Sequence, residues 1–205
     1  MVAEALDERA AQVVQRRVAK KVAPGTAKKR GVVKTKVKTR NGGVTAFSVY
    51  APGASQAALK KADFVVALRQ ATTMDLVEIE RQGVPAQLFA FLADRLDLPL
   101  SEVLRITGAP RSTTLRKLSA GERLNGTAGQ AALGVTRLLA KAREMADEST
   151  HPDAASFDVS RWFGEWIRKP QPALGGRKPE ELLDTPTGLD AVMRVLGAIQ
   201  SGVSV

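Results

Sequence analysis

Residues 99–120 read PLSEVLRITGAPRSTTLRKLSA, and the punctuation of this stretch decides the fold. Pro99 opens a helix that presents Leu100, Val103, Leu104 and Ile106, and Thr107-Gly108-Ala109-Pro110 stops it in a tight turn. Ser112 is then the expected N-cap of a second helix, with Leu115 and Leu118 facing inward and Arg111, Thr113, Thr114, Arg116 and Lys117 left outside. Two helices joined by a glycine turn, the second carrying cations and hydroxyls, form a helix-turn-helix arrangement. Arginine can meet guanine edges bidentately, and threonine can touch phosphate or a thymine methyl. Ser112 and Thr113 add backbone donors at a helix N-terminus, where phosphate is favoured. The candidate DNA-binding residues are therefore Arg111, Ser112, Thr113, Thr114, Arg116 and Lys117. A solvated helix face is the plainer alternative for the same pattern.

Working outward, the neighbouring segments also read as helices. Ser55 caps one that runs to about residue 72 through Leu59, Phe64 and Leu68, and Leu76, Val77 and Ile79 precede a stop at Gly83. Pro85 suits the first position of a helix burying Leu88, Phe89, Leu92 and Leu96. Downstream, Ala131, Val135, Leu138, Leu139, Ala142 and Met145 stripe a long helix from about Thr127 to Asp147, which closes the bundle.

A polar joint at residues 148–153 contains His151, read as a solvated linker residue. Asp158 then caps a helix with Val159, Trp162, Phe163, Trp166 and Ile167 on one broad apolar face. Such bulk serves a core or an aromatic contact for a partner protein. Pro170-Gln171-Pro172 ends it, and residues 173–179, ALGGRKP, form a loop whose paired glycines and cations lack the strand and spacing of a phosphate cradle. Pro179 starts a single turn. Thr185-Pro186 begins the last helix, striped by Leu189, Val192, Met193, Leu196 and Ile199 and ended by Gly202. The apolar tail beyond it adds little to its own fold and could fill a pocket elsewhere.

The net charge of +10 is concentrated in residues 1–49, which hold twelve Lys/Arg against three Asp/Glu. Such an arm can displace counterions from a polyanion, so nucleic acid is its natural partner, although a solubilising tail has the same composition. Within it, VVKTKVKTR at 32–40, the Asn41-Gly42-Gly43 turn and VTAFSVY read as a β-hairpin. At 205 residues with 44% apolar content the chain can bury a core. It has no cysteine and one histidine, which excludes disulfides and thiolate chemistry and disfavours triads and histidine metal sites. No stretch approaches the roughly 20 apolar residues of a membrane span. A cytoplasmic protein that is not an enzyme and needs no cofactor is expected.

Two sets of residues carry a resemblance. LVEIERQGVPAQLFAFLADRLDLPLSEVLRITGAPRSTTLRKLSAGERL, from Leu76 to Leu124, is similar to the Xre-like half of a known antitoxin family. Trp166, Pro170, the ALGGRKP loop, Leu182-Leu183-Asp184-Thr185-Pro186, Gly188, Ile199 and Gly202-Val203 resemble that family's toxin-binding domain nearly motif for motif. The chain thus resembles Xre/MbcA/ParS-type antitoxins, the partners of RES-domain toxins. The resemblance implies a homodimer that binds its own operator DNA and covers the active site of a toxin that degrades NAD or transfers its ADP-ribosyl group. It places the toxin contact on Trp166, Leu174, Gly175, Gly176, Arg177, Gly202, Val203, Ser204 and Val205. Residues 125–129, NGTAG, are less acidic than the matching family segment, and residues 1–50 have no counterpart in it. A stand-alone transcription regulator whose C-terminal unit only dimerises is the competing reading.

The expected architecture is mainly α: a basic, partly disordered arm over 1–50 with a β-hairpin, a linker helix over 51–73, a helix-turn-helix bundle over 74–150 and a small helical toxin-binding domain over 151–205.

Overall fold

The structure, a computed structural model, describes residues 49–50, 54–149 and 156–201. Residues 1–48 of the basic arm, His151 and the Gly202 to Val205 tail lie outside the described residues; Val49 and Tyr50, the last two residues of the expected hairpin, are described and are not in a strand. The fold is mainly α. Helices α1 (Gln56–Lys61), α2 (Phe64–Arg69) and α3 (Thr73–Gln82) lead into a two-residue strand β1 (Val84–Pro85), followed by α4 (Gln87–Arg95), α5 (Leu100–Ile106) and α6 (Arg111–Ala120). Strand β2 (Arg123–Leu124) pairs antiparallel with β1, Val84 opposite Leu124. Then come the long α7 (Gly126–Asp147), α8 (Val159–Trp166), two 3-10 turns at Pro172–Leu174 and Pro179–Glu181, and α9 (Pro186–Ser201).

Helix α7 organises the rest. It was expected to show one apolar stripe, yet all six residues from Ala131 to Thr136 are buried, so it is enclosed on every side there. Helices α2, α3 and α4 pack against it together with α8 and α9. Its small residues permit this: Gly129 lies against the Leu124 carbonyl and Gly134 against the Leu189 side chain. One hydrophobic core therefore runs from Val49 and Tyr50 through Leu92, Leu104 and Leu138 to Phe163, Leu183 and Leu196. Tyr50 is sealed inside it, edge-on to Phe64, and donates its hydroxyl to the Phe64 carbonyl at 3.1 Å. Burial pushes its ionisation far above the ordinary phenol range.

Two local expectations are corrected. The helix from Ser55 to about residue 72 is broken in two, because the Asp63 side chain accepts from the Val65 and Val66 amides and starts α2 afresh. Asp63 also pairs with Arg95 of α4 at 3.0 Å and Arg143 of α7 at 3.5 Å. Pro85 does not open a helix but lies in the β1 ladder opposite Arg123. The Ala86 amide donates to the Glu122 carbonyl, and the Arg123 guanidinium caps the Gln82 and Gly83 carbonyls left at the end of α3.

The C-terminal elements are fastened to α4 and α5. Gly164 of α8 sits on the backbone of Leu96, where an added Cβ would fall within 3.0 Å of the Leu96 carbonyl carbon and closer still to its oxygen. Arg105 of α5 pairs with Glu102 on its own helix and reaches Glu180 in the second 3-10 turn at 3.3 Å. The Arg105 hydrogen bond holds the Glu102 carboxyl below its usual range.

Gly164→Ala is expected to cost about 1–3 kcal/mol by forcing α8 off Leu96, whereas Gly197→Ala, with no atom within 4 Å of its added Cβ, should be neutral or slightly stabilising. Urea unfolding of the two variants checks this. A depressed carboxyl stabilises the fold above its unfolded-state pKa and ceases to do so as pH falls through the folded value. Melting temperatures measured from pH 7 down past the ordinary glutamate range, near ~4.3, should thus show wild type losing its advantage over Glu102→Gln on acidification.

Candidate functional site

Two surfaces bring the sequence-predicted residues together. The first is α6 and the turn before it. Gly108, at φ +62°, ends α5, with the Ala109 amide donating back to the Leu104 carbonyl and the Thr107 hydroxyl to that of Val103. The turn is thereby closed on itself. Helix α6 then begins at Arg111 with Pro110 at the cap position and no side-chain cap, so Ser112 is a first-turn residue rather than the N-cap.

The exposed face differs from the sequence reading. Thr114 was expected outside but is 1% exposed, and its hydroxyl donates to the Pro110 carbonyl at 2.8 Å. Leu115, expected inside, is 40% exposed. Positions 114 and 118 line the core side, while 111, 112, 115, 116 and 119 share the outer one. Arg111, Ser112, Leu115, Arg116 and Ser119 are exposed there and Thr113 is half-buried. Lys117 is also corrected: its ammonium turns back to the Arg123 carbonyl at 2.6 Å. Arg116 reaches outward, held loosely by Glu122 at 3.3 Å. Leucines at 115 and 118 fit a helical spacing as well as residues 114 and 118 do, which is why the sequence favoured the wrong pair.

The second surface is the loop between α8 and α9. Its first 3-10 turn ends at Gly175 (φ +66°), and Gly176 follows at φ +77°. Both glycines are required by backbone conformation, for an added Cβ would meet nothing within 4 Å. The Gly175, Gly176 and Arg177 amides donate to the Pro172, Gln171 and Leu174 carbonyls, and Gln171 donates back to Arg177. With its donors satisfied internally, this closed loop is no phosphate cradle. It presents Pro172, Ala173, Gly175, Gly176 and Arg177 to solvent, while Leu174 is half-buried against the core.

Trp166 is corrected as a surface residue. It is 2% exposed and stacked against Phe163 and Trp162, while the first 3-10 turn of the loop packs on α9. The aromatic run surfaces instead at Phe157, 44% exposed and 6.0 Å from Trp162, which the sequence reading did not single out. Thr185 caps α9 as expected, accepting from the Gly188 amide.

A cleft of about 210 Å³ separates α3, α7 and the start of α9, with Glu80, Arg137, Asp184 and Asp190 at its rim. Among the described residues no group of His, Cys, Asp or Glu could hold a metal, and no helix is long and apolar enough to cross a membrane.

Comparison with known proteins bears on both surfaces. The family described as Antitoxin Xre/MbcA/ParS C-terminal toxin-binding domain matches residues 154–202, which contain α8, the loop and α9. A relative from Sphingobium sp. (strain YBL2), named a Prs ADP-ribosylating antitoxin, is 31% identical over 136 residues, covering 66% of this chain and 84% of the relative. With α8, the loop and α9 all inside the matched domain, and the identity reaching well upstream of it, the chain belongs to the Xre/MbcA/ParS antitoxin family.

Proposed function

We propose that this antitoxin neutralises a RES-type toxin that consumes NAD or transfers its ADP-ribosyl group, by laying its C-terminal unit across the toxin's active site. The observation that carries the reading is the 171–177 loop within the matched toxin-binding domain: exposed, closed by its own hydrogen bonds and packed on α9. A preorganised loop loses little conformational entropy when it enters a cleft. Leu174, Gly175, Gly176 and Arg177, α9 and the Gly202 to Val205 tail form the contact in this reading. The chemistry assigned to the toxin is supported by the printed name of the Sphingobium relative. The protein acts by binding in the cytoplasm, without a catalytic centre of its own.

The same reading gives α5 and α6 the role of a helix-turn-helix that represses the protein's own operator as a homodimer. Its outer face carries exposed Arg111, Ser112 and Arg116, with Ser112 and Arg116 one turn apart and Arg111 further round, a spread suited to base edges and flanking phosphates. Residues 74–150 then form the operator-reading unit and 151–205 the toxin-binding unit, on a shared core.

Co-purification with a candidate RES-type toxin, followed by NAD turnover, tests the first role: the antitoxin should suppress turnover stoichiometrically. Removing residues 201–205 should leave folding and DNA affinity intact yet abolish protection of cells co-expressing the toxin; full protection would count against the covering role. For the second role, Arg111→Ala and Arg116→Ala should weaken operator binding by roughly 1–3 kcal/mol where the arginine pairs with a base. Lys117→Ala should weaken it less, since its ammonium is committed to the Arg123 carbonyl. Gel shifts at about 150 mM salt that do not move would reject α6 as the reader.

A further inference from the structure

Leu115 stands at the centre of the outer face of α6, 40% exposed. Arg111 and Ser112 lie one turn before it, Arg116 beside it and Ser119 one turn after, all exposed. A leucine offered to water among two guanidiniums and two hydroxyls is complemented by an apolar group set inside a strongly anionic surface. The major groove supplies one, because thymine alone presents a methyl group there beside hydrogen-bonding edges and phosphates. A second protein chain fits poorly: a lone leucine ringed by arginines lacks the contiguous apolar area of an interface core, where charge is depleted.

We propose that Leu115 reads thymine methyl groups in the operator, setting base preference between the contacts of Arg111 and Arg116. This rests on the reading of α6 as the DNA-facing helix. The rise of about 1.5 Å per residue places Leu115 about 6 Å along the helix from Arg111, so the thymine should lie within about two base pairs of the guanine that Arg111 contacts.

The test uses the full-length protein and a duplex spanning the region directly upstream of its own gene. Each thymine is replaced in turn by deoxyuridine, which keeps every hydrogen-bonding group and lacks only the methyl. Fluorescence anisotropy should show about fourfold weaker binding by wild type at one or two positions. Leu115→Ala should bind the unmodified duplex similarly weakly and be indifferent to those substitutions, while its thermal melt still shows a cooperative transition well above the assay temperature. Full affinity of Leu115→Ala, or undiminished sensitivity to deoxyuridine, overturns the assignment. Altered sedimentation of Leu115→Ala with unchanged base preference overturns it too, in favour of a contact between protein chains. If Arg111→Ala and Arg116→Ala also bind normally, the reading of α6 falls and takes this one with it. Weakened arginine variants beside an indifferent leucine would isolate the failure to Leu115.

Discussion

Everything in this molecule is arranged around the enclosure of α7. A helix buried on every side cannot use bulky residues throughout, because its neighbours must come within backbone contact, and Gly129, Ala132 and Gly134 meet that requirement. With them in place, α2, α3, α4, α8 and α9 all pack against it. The two exposed surfaces described above are the outer sides of elements whose inner sides share this core.

Polar contacts refine the arrangement rather than create it. Asp63 draws α2, α4 and α7 to one point, and Arg105 ties α5 to the second 3-10 turn through Glu180. Arg143 reaches Ser160 of α8, and Gln200 near the end of α9 bonds Glu148 just past α7. Most of these groups are part-exposed, so each contact stabilises only modestly. Their value is directional: they fix the rotation of helices that apolar packing alone would hold less precisely. The 171–177 loop thereby leaves the core at a defined place.

Much of this was legible in the residues. Proline and glycine marked the limits of α5 and α9, and the apolar spacing gave the buried residues of α4 because that helix keeps a regular period, whereas the stripe read on α7 missed Leu133 and the small residues buried on its other sides. The ALGGRKP loop and the Thr185-Pro186 start were readable because positive φ and capping impose residue types directly. Three features were hidden by competition between equal signals. Asp63 looked like a helix-surface residue until its cap broke the segment in two. Pro85 fits a helix start as well as a strand, and a two-residue ladder has no periodicity to betray it. On α6, Leu115 and Thr114 exchanged places because adjacent residues lie about 100° apart round a helix, and the apolar spacing alone does not choose between the two faces. Tertiary contact with the core decided that choice. The wide aromatic face around Trp166 was legible as core or partner contact, and its burial settles it as core.

One continuous core has a temporal consequence. Domains that share an interior unfold together, so heat or a protease that opens α7 disarms both faces in the same event. Under the proposed roles, the loss that sets a toxin free is also the loss that reopens the promoter, and resynthesis begins when the guard falls. Linking two independent domains by a tether would have given each its own half-life; burying a single rod between them gives the pair one clock.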